Sequence, residues 1–503
     1  MNQRASFFNL DKAPSAAWTV FASALAMRLL HLVSMAPTLG HEHRLNDGIY
    51  FDALAQALVQ GSYDGKTPIV GLSPIYVGFL SGFYQWLGHN LLFPRLGQIL
   101  LGSLACVGLQ QISRNLFGER AGWTAGLLAA FCGVFIYFDA ILIKASLMNS
   151  VWVLVLWALS LGFQRGGWWQ WAIAGAGYAA ACMLRMQLFL IAPWILWVLL
   201  KNRANLKLRQ IFLSILFFVI FAAAVPVLVG QWFNFSVSRT KNVPPAHEIA
   251  APQLGIHFYV GNNPDANGTY KKVDGIRASA VGHVVDAKQL AEKEVGQKLD
   301  ASGLNRFWLR RGIESICEAP WRWIQLEAKK FFLIWNTYEV ANNQNYEYWK
   351  RYSFILGLPL VSYGWLAPLA LLGWIGLRKD SRPMISLLQG TAFFYIAALM
   401  LTLVTADYRL PLHSIWIIFA AFAVERFIQN WQDGKVQVLR RSICLFILFF
   451  IFCNYQTYLP KYRYESFLHK RHDTILTAHE TKTVLSVGRT EGQLASNGSA
   501  VLT

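Results

Sequence analysis

The sequence predicts an α-helical polytopic membrane protein that carries one small α/β module outside the bilayer. Three observations predict it. The 503 residues are 55% hydrophobic and only 14% charged, against about 25% charged in an average soluble domain. Apolar runs near the length of a membrane span recur along most of the chain. Arginine and lysine gather in short clusters between those runs, so the formal net charge of +18 reads as a topology signal and not as a nucleic-acid surface.

The elements follow in order. Met1 to Pro14 is polar and mildly basic. The run Ala16 to Met35 has no small-residue cleavage pattern behind it, so it reads as a signal anchor. Further runs cover 94–112, 121–141, 146–163, 167–184, 186–200, 210–231, 353–377, 384–404, 410–425 and 441–459, and with the first they make about eleven spans. The stretch 73–88 is apolar but short, opens on Ser73-Pro74, and reads as a juxtamembrane or re-entrant helix. Counting it as a span would turn "KNRANLKLR" (201–209) and "RKDSR" (378–382) outward, against the tendency of basic loops to stay cytoplasmic.

This topology divides the chain into a membrane region 1–231 with a first outer segment 36–93, an exterior module 232–351, a second membrane region 352–459 and an exterior tail 460–503. In the module, "GIHFYVGNNPDANGTYKKVDG" (255–275) alternates like a strand before the turn residues Asn262, Asn263, Pro264, Asn267 and Gly268. Ala287 to Leu333 has helical periodicity, and 318–335 is amphipathic and suited to a membrane surface. The cysteines form no disulfide framework or CxxC site. "HEH" (41–43) has a His-x-His spacing, but loop histidines this close rarely make a metal site, and no metal site is expected there.

The charges left on the outer side are few: Asp47, Asp52, Asp139, Asp407, Arg44, Lys66, Arg95, Lys144, Arg185 and Arg409. An ionisable residue at a span end is a functional candidate, because burial in lipid is so costly. Each also has a bland reading. Asp47 and Asp52 fit helix caps, Lys144 could neutralise Asp139, and Arg185 and Arg409 could snorkel to headgroups. Arg28, mid-span with His31 one turn on, could pair within the bundle. Taken as a set, carboxylates beside arginines suit transfer from a phosphate leaving group. A carboxylate deprotonates an acceptor hydroxyl or amine, and guanidinium groups hold the departing phosphate.

Six stretches in order resemble the GT-C superfamily of integral-membrane glycosyltransferases, in the bacterial branch similar to protein O-mannosyltransferases and lipid A aminoarabinose transferases. They are "NDGIYFDALAQALVQGSY", "SPIYVGFLSGFYQWLG" with "RLGQILLGSLACVG", "YFDAILIKASLMNSVWVL", "GIHFYVGNNPDANGTY", "WNTYEVANNQNYEYW" and "DYRLPLHSIWIIFAAFAV". The resemblance implies a GT-C-like fold and an inverting transfer from a polyprenyl-phosphate-linked sugar to a glycan, lipid or protein acceptor. It also implies an active site on the periplasmic or exterior face of the bacterial inner membrane. Asp47 matches the family's first-loop base, although Asn46-Asp47 stands where a pair of acids is common. Ser73 stands where the aminoarabinose transferases carry a lysine, so phosphate binding falls to Arg185, Arg409 or Lys144. Asp52, Tyr50, Asp139, Tyr76, Asn262 and Glu339 are candidates for substrate contact. No cofactor is implied, and a divalent-ion requirement is left open. The rival readings are a transporter or flippase and a non-catalytic scaffold for lipid-linked glycans. No paired half-repeats of the kind many transporters show are visible.

Overall fold

The computed structural model describes residues 13–35, 47–63, 73–201, 208–237, 254–277, 280–343 and 345–455. The expected tail 460–503, the His41 and His43 pair and most of the loop 201–209 lie outside them. Helix dominates the described residues, because a chain in hydrocarbon must satisfy its backbone N–H and C=O groups internally. The protein is an integral, multi-pass membrane protein. All eleven apolar runs fold as helix where they are described, and seven are long and apolar enough to cross a membrane. These are α1 (Ala13–Met35), α4 (Leu92–Phe117), α7 (Lys144–Arg165), α10 (Leu208–Val237), α18 (Pro383–Leu401), α19 (Ala406–Gln432) and α20 (Val436–Asn454). The other four runs are shorter or broken. They form α5 (Glu119–Ala130) with α6 (Gly133–Ala140), α8 (Trp168–Leu184), a 3₁₀ turn Met186–Ile191 with α9 (Ala192–Lys201), and α17 (Tyr363–Gly376).

The stretch 73–88 does not have the length to cross. It forms α3 (Pro74–Leu87), 14 residues, or about 21 Å at 1.5 Å per residue against a hydrocarbon core of about 30 Å. Proline disfavours the right-handed helix for the residue before it, and Ser73 sits in the left-handed region at φ 59°. That kink lets α3 start abruptly on Pro74.

The break in the third run has a specific cause. Between α5 and α6 the backbone leaves the helix at Phe131 and Cys132 and pairs with a distant segment. Val361 N–H donates to Phe131 O at 3.0 Å, and Gly133 N–H donates to Val361 O at 3.3 Å. Gly133 also lies against the Tyr346 hydroxyl, where a Cβ would collide.

Buried polar pairs lock the bundle. Arg28 Nε donates to Asp139 Oδ2 at 2.7 Å, both side chains being buried, and Ser146 donates to Asp139 Oδ1 at 2.5 Å. Gly102 makes room, since a Cβ there would overlap the Asp139 carboxylate. Arg28, and not Lys144, therefore neutralises Asp139. Helix α19 begins near Arg409 and ends at Gln432, and other charges gather around its far end. There Arg114 pairs with Glu119 at 2.6 Å, Arg120 reaches Gln432 Oε1 at 3.2 Å, and Arg382 donates to Leu116 O at 2.6 Å. Basic residues from two distant parts of the chain, 114–120 and 378–382, thus meet near that end of α19.

The segment expected to form the exterior module holds helices joined by turns and no strand among its described residues, which corrects the α/β expectation. Its elements are α11 (Leu254–Asn262), α12 (Ala280–Val295), α13 (Ala301–Glu318) and the amphipathic α14 (Pro320–Trp335). The alternation of Ile256, Phe258 and Val260 resembles a strand, but Ile256 and Val260 are also one helical turn apart, and both are buried in the module's core. Gly255 and Gly261 let α11 press onto the carbonyls of Asn305 and Thr402, where a Cβ would clash. That core, with Ala287, Ala291 and Trp308, also takes in Leu403. Val404 N–H donates to Gly268 O at 2.9 Å. The module therefore sits on the residues that lead into α19. Short helices α15 (Tyr346–Trp349) and α16 (Phe354–Gly357) return the chain to α17.

Candidate functional site

Two acids occupy α2 (Asp47–Gln60), and the structure separates their roles. Asp47 stands in the first turn, half-buried, where the helix dipole favours negative charge. Asp52 is fully buried and consumed. Its carboxylate accepts from Tyr84 at 2.5 Å and from Gln56 at 2.7 Å, and meets His89 Nε2 at 3.0 Å. It clamps α2 to α3 and is not a solvated cap. Tyr50, also on α2, is half-buried.

Other expected contact residues are likewise structural. Tyr76 is fully buried and donates to Gln98 Oε1 at 2.8 Å, while Gln98 holds the Ile141 carbonyl at 2.7 Å. Asp139 belongs to Arg28. Asn262 spends its amide on the Phe258 and Leu401 carbonyls at 2.8 and 2.9 Å, and its Oδ1 accepts from Trp323 and Lys330. Glu339 is committed to Arg409 at 2.6 Å and faces His413 at 3.4 Å.

Arg409 is the candidate most engaged inside the protein. It is fully buried, with Nη1 on the Asn336 carbonyl at 2.6 Å, Nη2 on the Tyr338 carbonyl at 2.9 Å and on Glu339, and the Tyr363 ring 4.2 Å away. Both Nη groups are thus spent on carbonyls and a carboxylate, and only the buried Nε has no partner. Its work is to pin the segment 333–339 to α19.

Two cations remain poised. Lys144 opens α7, and its ammonium donates to Ser73 Oγ at 2.8 Å instead of to a carboxylate. The left-handed turn before α3 is therefore where an ammonium arrives, delivered from another helix. Arg185 lies at the hinge between α8 and the 3₁₀ turn. It stacks 3.9 Å over the Tyr408 ring, and its bond to Asp407 is long at 3.2 Å. Its buried Nε has no partner. Asp407 in turn accepts from Thr405 at 2.6 Å and from Asn342. The charges of Lys144 and Arg185 act on each other, and that of Asp47 acts on Lys144. Helix α3, whose Ser73 meets Lys144, packs on both α2 and α8, so the two cations and the acid are brought to one region from three separate elements.

The module supplies a wall that sequence reading missed. His257 on α11 and His283 on α12 pack edge to face with ring centroids 5.6 Å apart, and the Tyr270 hydroxyl shares a 3.0 Å hydrogen bond with His283 Nε2. Burial pushes His257 down to about 3, and the neighbouring His283, Lys144 and Arg185 add to the effect. Burial lowers His283 as well, opposed by Asp47 and Asp286. Both imidazoles are therefore neutral near pH 7. The signal was present in "GIHFYVG", whose polar His257 interrupts an apolar stretch. Arg95, noted on the outer side but given no role, is buried with its Nε unpartnered beneath α3. Among the described residues no group of three or more His, Cys, Asp or Glu side chains is placed to hold a metal.

Residues 73–229 match the family model described as dolichyl-phosphate-mannose-protein mannosyltransferase. No curated protein matches the chain. Among solved structures, the Archaeoglobus fulgidus oligosaccharyltransferase AglB, in complex with an inhibitory peptide and a dolichol-phosphate, is 13% identical with a TM-score of 0.49, over 90% of this chain and 55% of that one. ArnT from Cupriavidus metallidurans bound to undecaprenyl phosphate is 14% identical with a TM-score of 0.34, over 82% of this chain and 79% of that one. The chain thus spans about half the length of the archaeal enzyme. Residues 73–229 thus resemble the dolichyl-phosphate-mannose-protein mannosyltransferase family.

Proposed function

We propose that this membrane protein transfers a sugar from a polyprenyl-phosphate-linked donor to an acceptor hydroxyl or amine at the outer face of a bacterial inner membrane. The observation that carries the reading is the convergence of Lys144, Arg185 and Asp47, brought from α7, the α8 hinge and α2. Lys144 and Arg185 hold the donor phosphate and take up its growing charge as the glycosidic bond breaks. Asp47 removes the acceptor's proton as the acceptor oxygen or nitrogen attacks the anomeric carbon from the opposite side. The phosphate leaves with the bonding pair, still attached to its lipid. The match of residues 73–229 to a mannosyltransferase family supports the reaction class. The segment 36–93 carries the base, 232–351 is the exterior module that receives the acceptor, and 460–503 is an exterior tail.

The test uses purified full-length protein with polyprenyl-phosphate-linked sugars and measures transfer and lipid-phosphate binding separately. Asp47→Asn is expected to reduce transfer by about 10² to 10⁴ while polyprenyl phosphate still binds. Lys144→Ala should weaken polyprenyl phosphate binding itself. Full transfer by Asp47→Asn would remove Asp47 as base, and movement of lipid-linked sugar across vesicles without transfer would favour a transporter.

A further inference from the structure

The wall beside the cations is chemically unlike them, and that contrast says what it recognises. Three geometric links fix its place. The module core of Ile256, Val260, Ala287 and Trp308 has Tyr270 and Tyr408 packed against it. Tyr408 is the ring under the Arg185 guanidinium, at 3.9 Å. Helix α12, which carries His283, packs on α2, which opens on Asp47. The face that carries His257, His283 and Tyr270 therefore borders both the Arg185–Tyr408 pair and α2, and so the space between the cations and the proposed base. In any transfer from a phosphate to an acceptor, the sugar ring occupies that space.

We propose that His257, His283 and Tyr270 form the pyranose subsite of the donor, reading the hydroxyl groups of an uncharged sugar. The proposal rests on the functional reading above. A neutral imidazole presents one N–H donor and one acceptor nitrogen, and the phenol hydroxyl does both. Such a set matches vicinal sugar hydroxyls, which also donate and accept. It does not match a second anion, for which charged groups would be the better partner. The edge-to-face packing at 5.6 Å and the 3.0 Å bond to Tyr270 hold the two rings before any ligand arrives, which lowers the ordering cost of recognition. Lys144 and Arg185 beside His257 disfavour its protonation, so the wall keeps its donor–acceptor character while the phosphate site stays cationic.

The experiment compares two ligands on the full chain in nanodiscs: undecaprenyl phosphate without sugar, and undecaprenyl phosphate carrying mannose, glucose or galactose. His283→Gln and His257→Ala are expected to bind the sugar-free lipid as the unaltered protein does. Their affinity for the preferred glycosylated lipid should fall about tenfold, the scale of one lost hydrogen bond. Tyr270→Phe keeps the ring packing and removes only the hydroxyl, so a smaller, few-fold loss confined to the glycosylated lipid is expected. Equal loss for both ligands, or loss for neither, overturns the subsite. So does an unaltered protein that binds the sugar-free lipid but prefers none of the glycosylated forms. A protein that binds neither lipid instead overturns the functional reading on which the subsite rests.

Discussion

Arg409→Met is expected to destabilise the fold and leave phosphate recognition intact. The Arg409 guanidinium is fully buried, pairs with Glu339 at 2.6 Å, and donates to the Asn336 and Tyr338 carbonyls at 2.6 and 2.9 Å. Removing one member of a buried ion pair leaves the other charge uncompensated, which costs about 3–5 kcal/mol. Each carbonyl left without its donor adds about 1 kcal/mol. The total of about 5–7 kcal/mol is a large part of the roughly 5–15 kcal/mol that holds a typical domain. At about 2 °C per kcal/mol, the low end for larger domains, the melting midpoint falls by roughly 10–14 °C. The assay is a thermal melt of the detergent-solubilised full chain, run beside Glu339→Met and the double variant. Because the double variant buries no lone charge, it should recover about 2–3 kcal/mol relative to the sum of the singles. The reasoning is refuted if Arg409→Met melts with the unaltered protein yet no longer binds undecaprenyl phosphate. In that case the guanidinium is a ligand-binding group and not a pin.

Three further expectations follow from the same geometry. In a cysteine-free background, Asn267→Cys should react with a membrane-impermeant maleimide on intact cells and Gln432→Cys should not; the reverse pattern would invert the proposed orientation. His257 sits at about 3 in the folded protein against about 6.5 when unfolded. The unfolded chain therefore binds the proton first, and stability that is full above about 6.5 is lost progressively toward about 3. Melts at pH 7, 5 and 4 should show that loss, and His257→Gln should flatten it; an unchanged slope would mean the ring titrates freely. Arg95 is buried with no carboxylate within ion-pair distance among the described residues, so Arg95→Met removes an uncompensated cation and should hold or raise the melting midpoint. A clear fall would assign the guanidinium a structural partner.

The spans and the shared end of their basic clusters were legible because both are local properties. Apolar runs set helix, and short basic clusters mark a common side, so "RKDSR" carried its message without any tertiary knowledge. The shortness of 73–88 was equally plain from its length and from Pro74. What failed was pairing. Arg409 and Arg185 look alike in sequence, each an arginine at a helix end, yet one is consumed by a 2.6 Å pair with Glu339 and by backbone carbonyls while the other makes only 3.2 Å bonds to Asp407 and stacks on Tyr408. The partner of Asp139 could not be read either, since Arg28 lies 111 residues away and Lys144 only five. The helix at 254–262 was hidden for a different reason. In a nine-residue segment, buried residues at i and i+4 satisfy a period of two as well as one of 3.6.

The bridge between Phe131, Gly133 and Val361 sets an order of events during synthesis. The carbonyl and amide it satisfies lie in an early span, but their partner leaves the ribosome only after the whole 232–351 module has been made. Until then that gap in the helix needs water or another chain to occupy it, because exposed backbone is not tolerated in lipid. The third span therefore cannot reach its final form on insertion and waits for the C-terminal half. A chain cut anywhere before Val361 loses that closure along with the missing helices, so the N-terminal half is expected to be held as an unfinished intermediate and not released as an independent bundle.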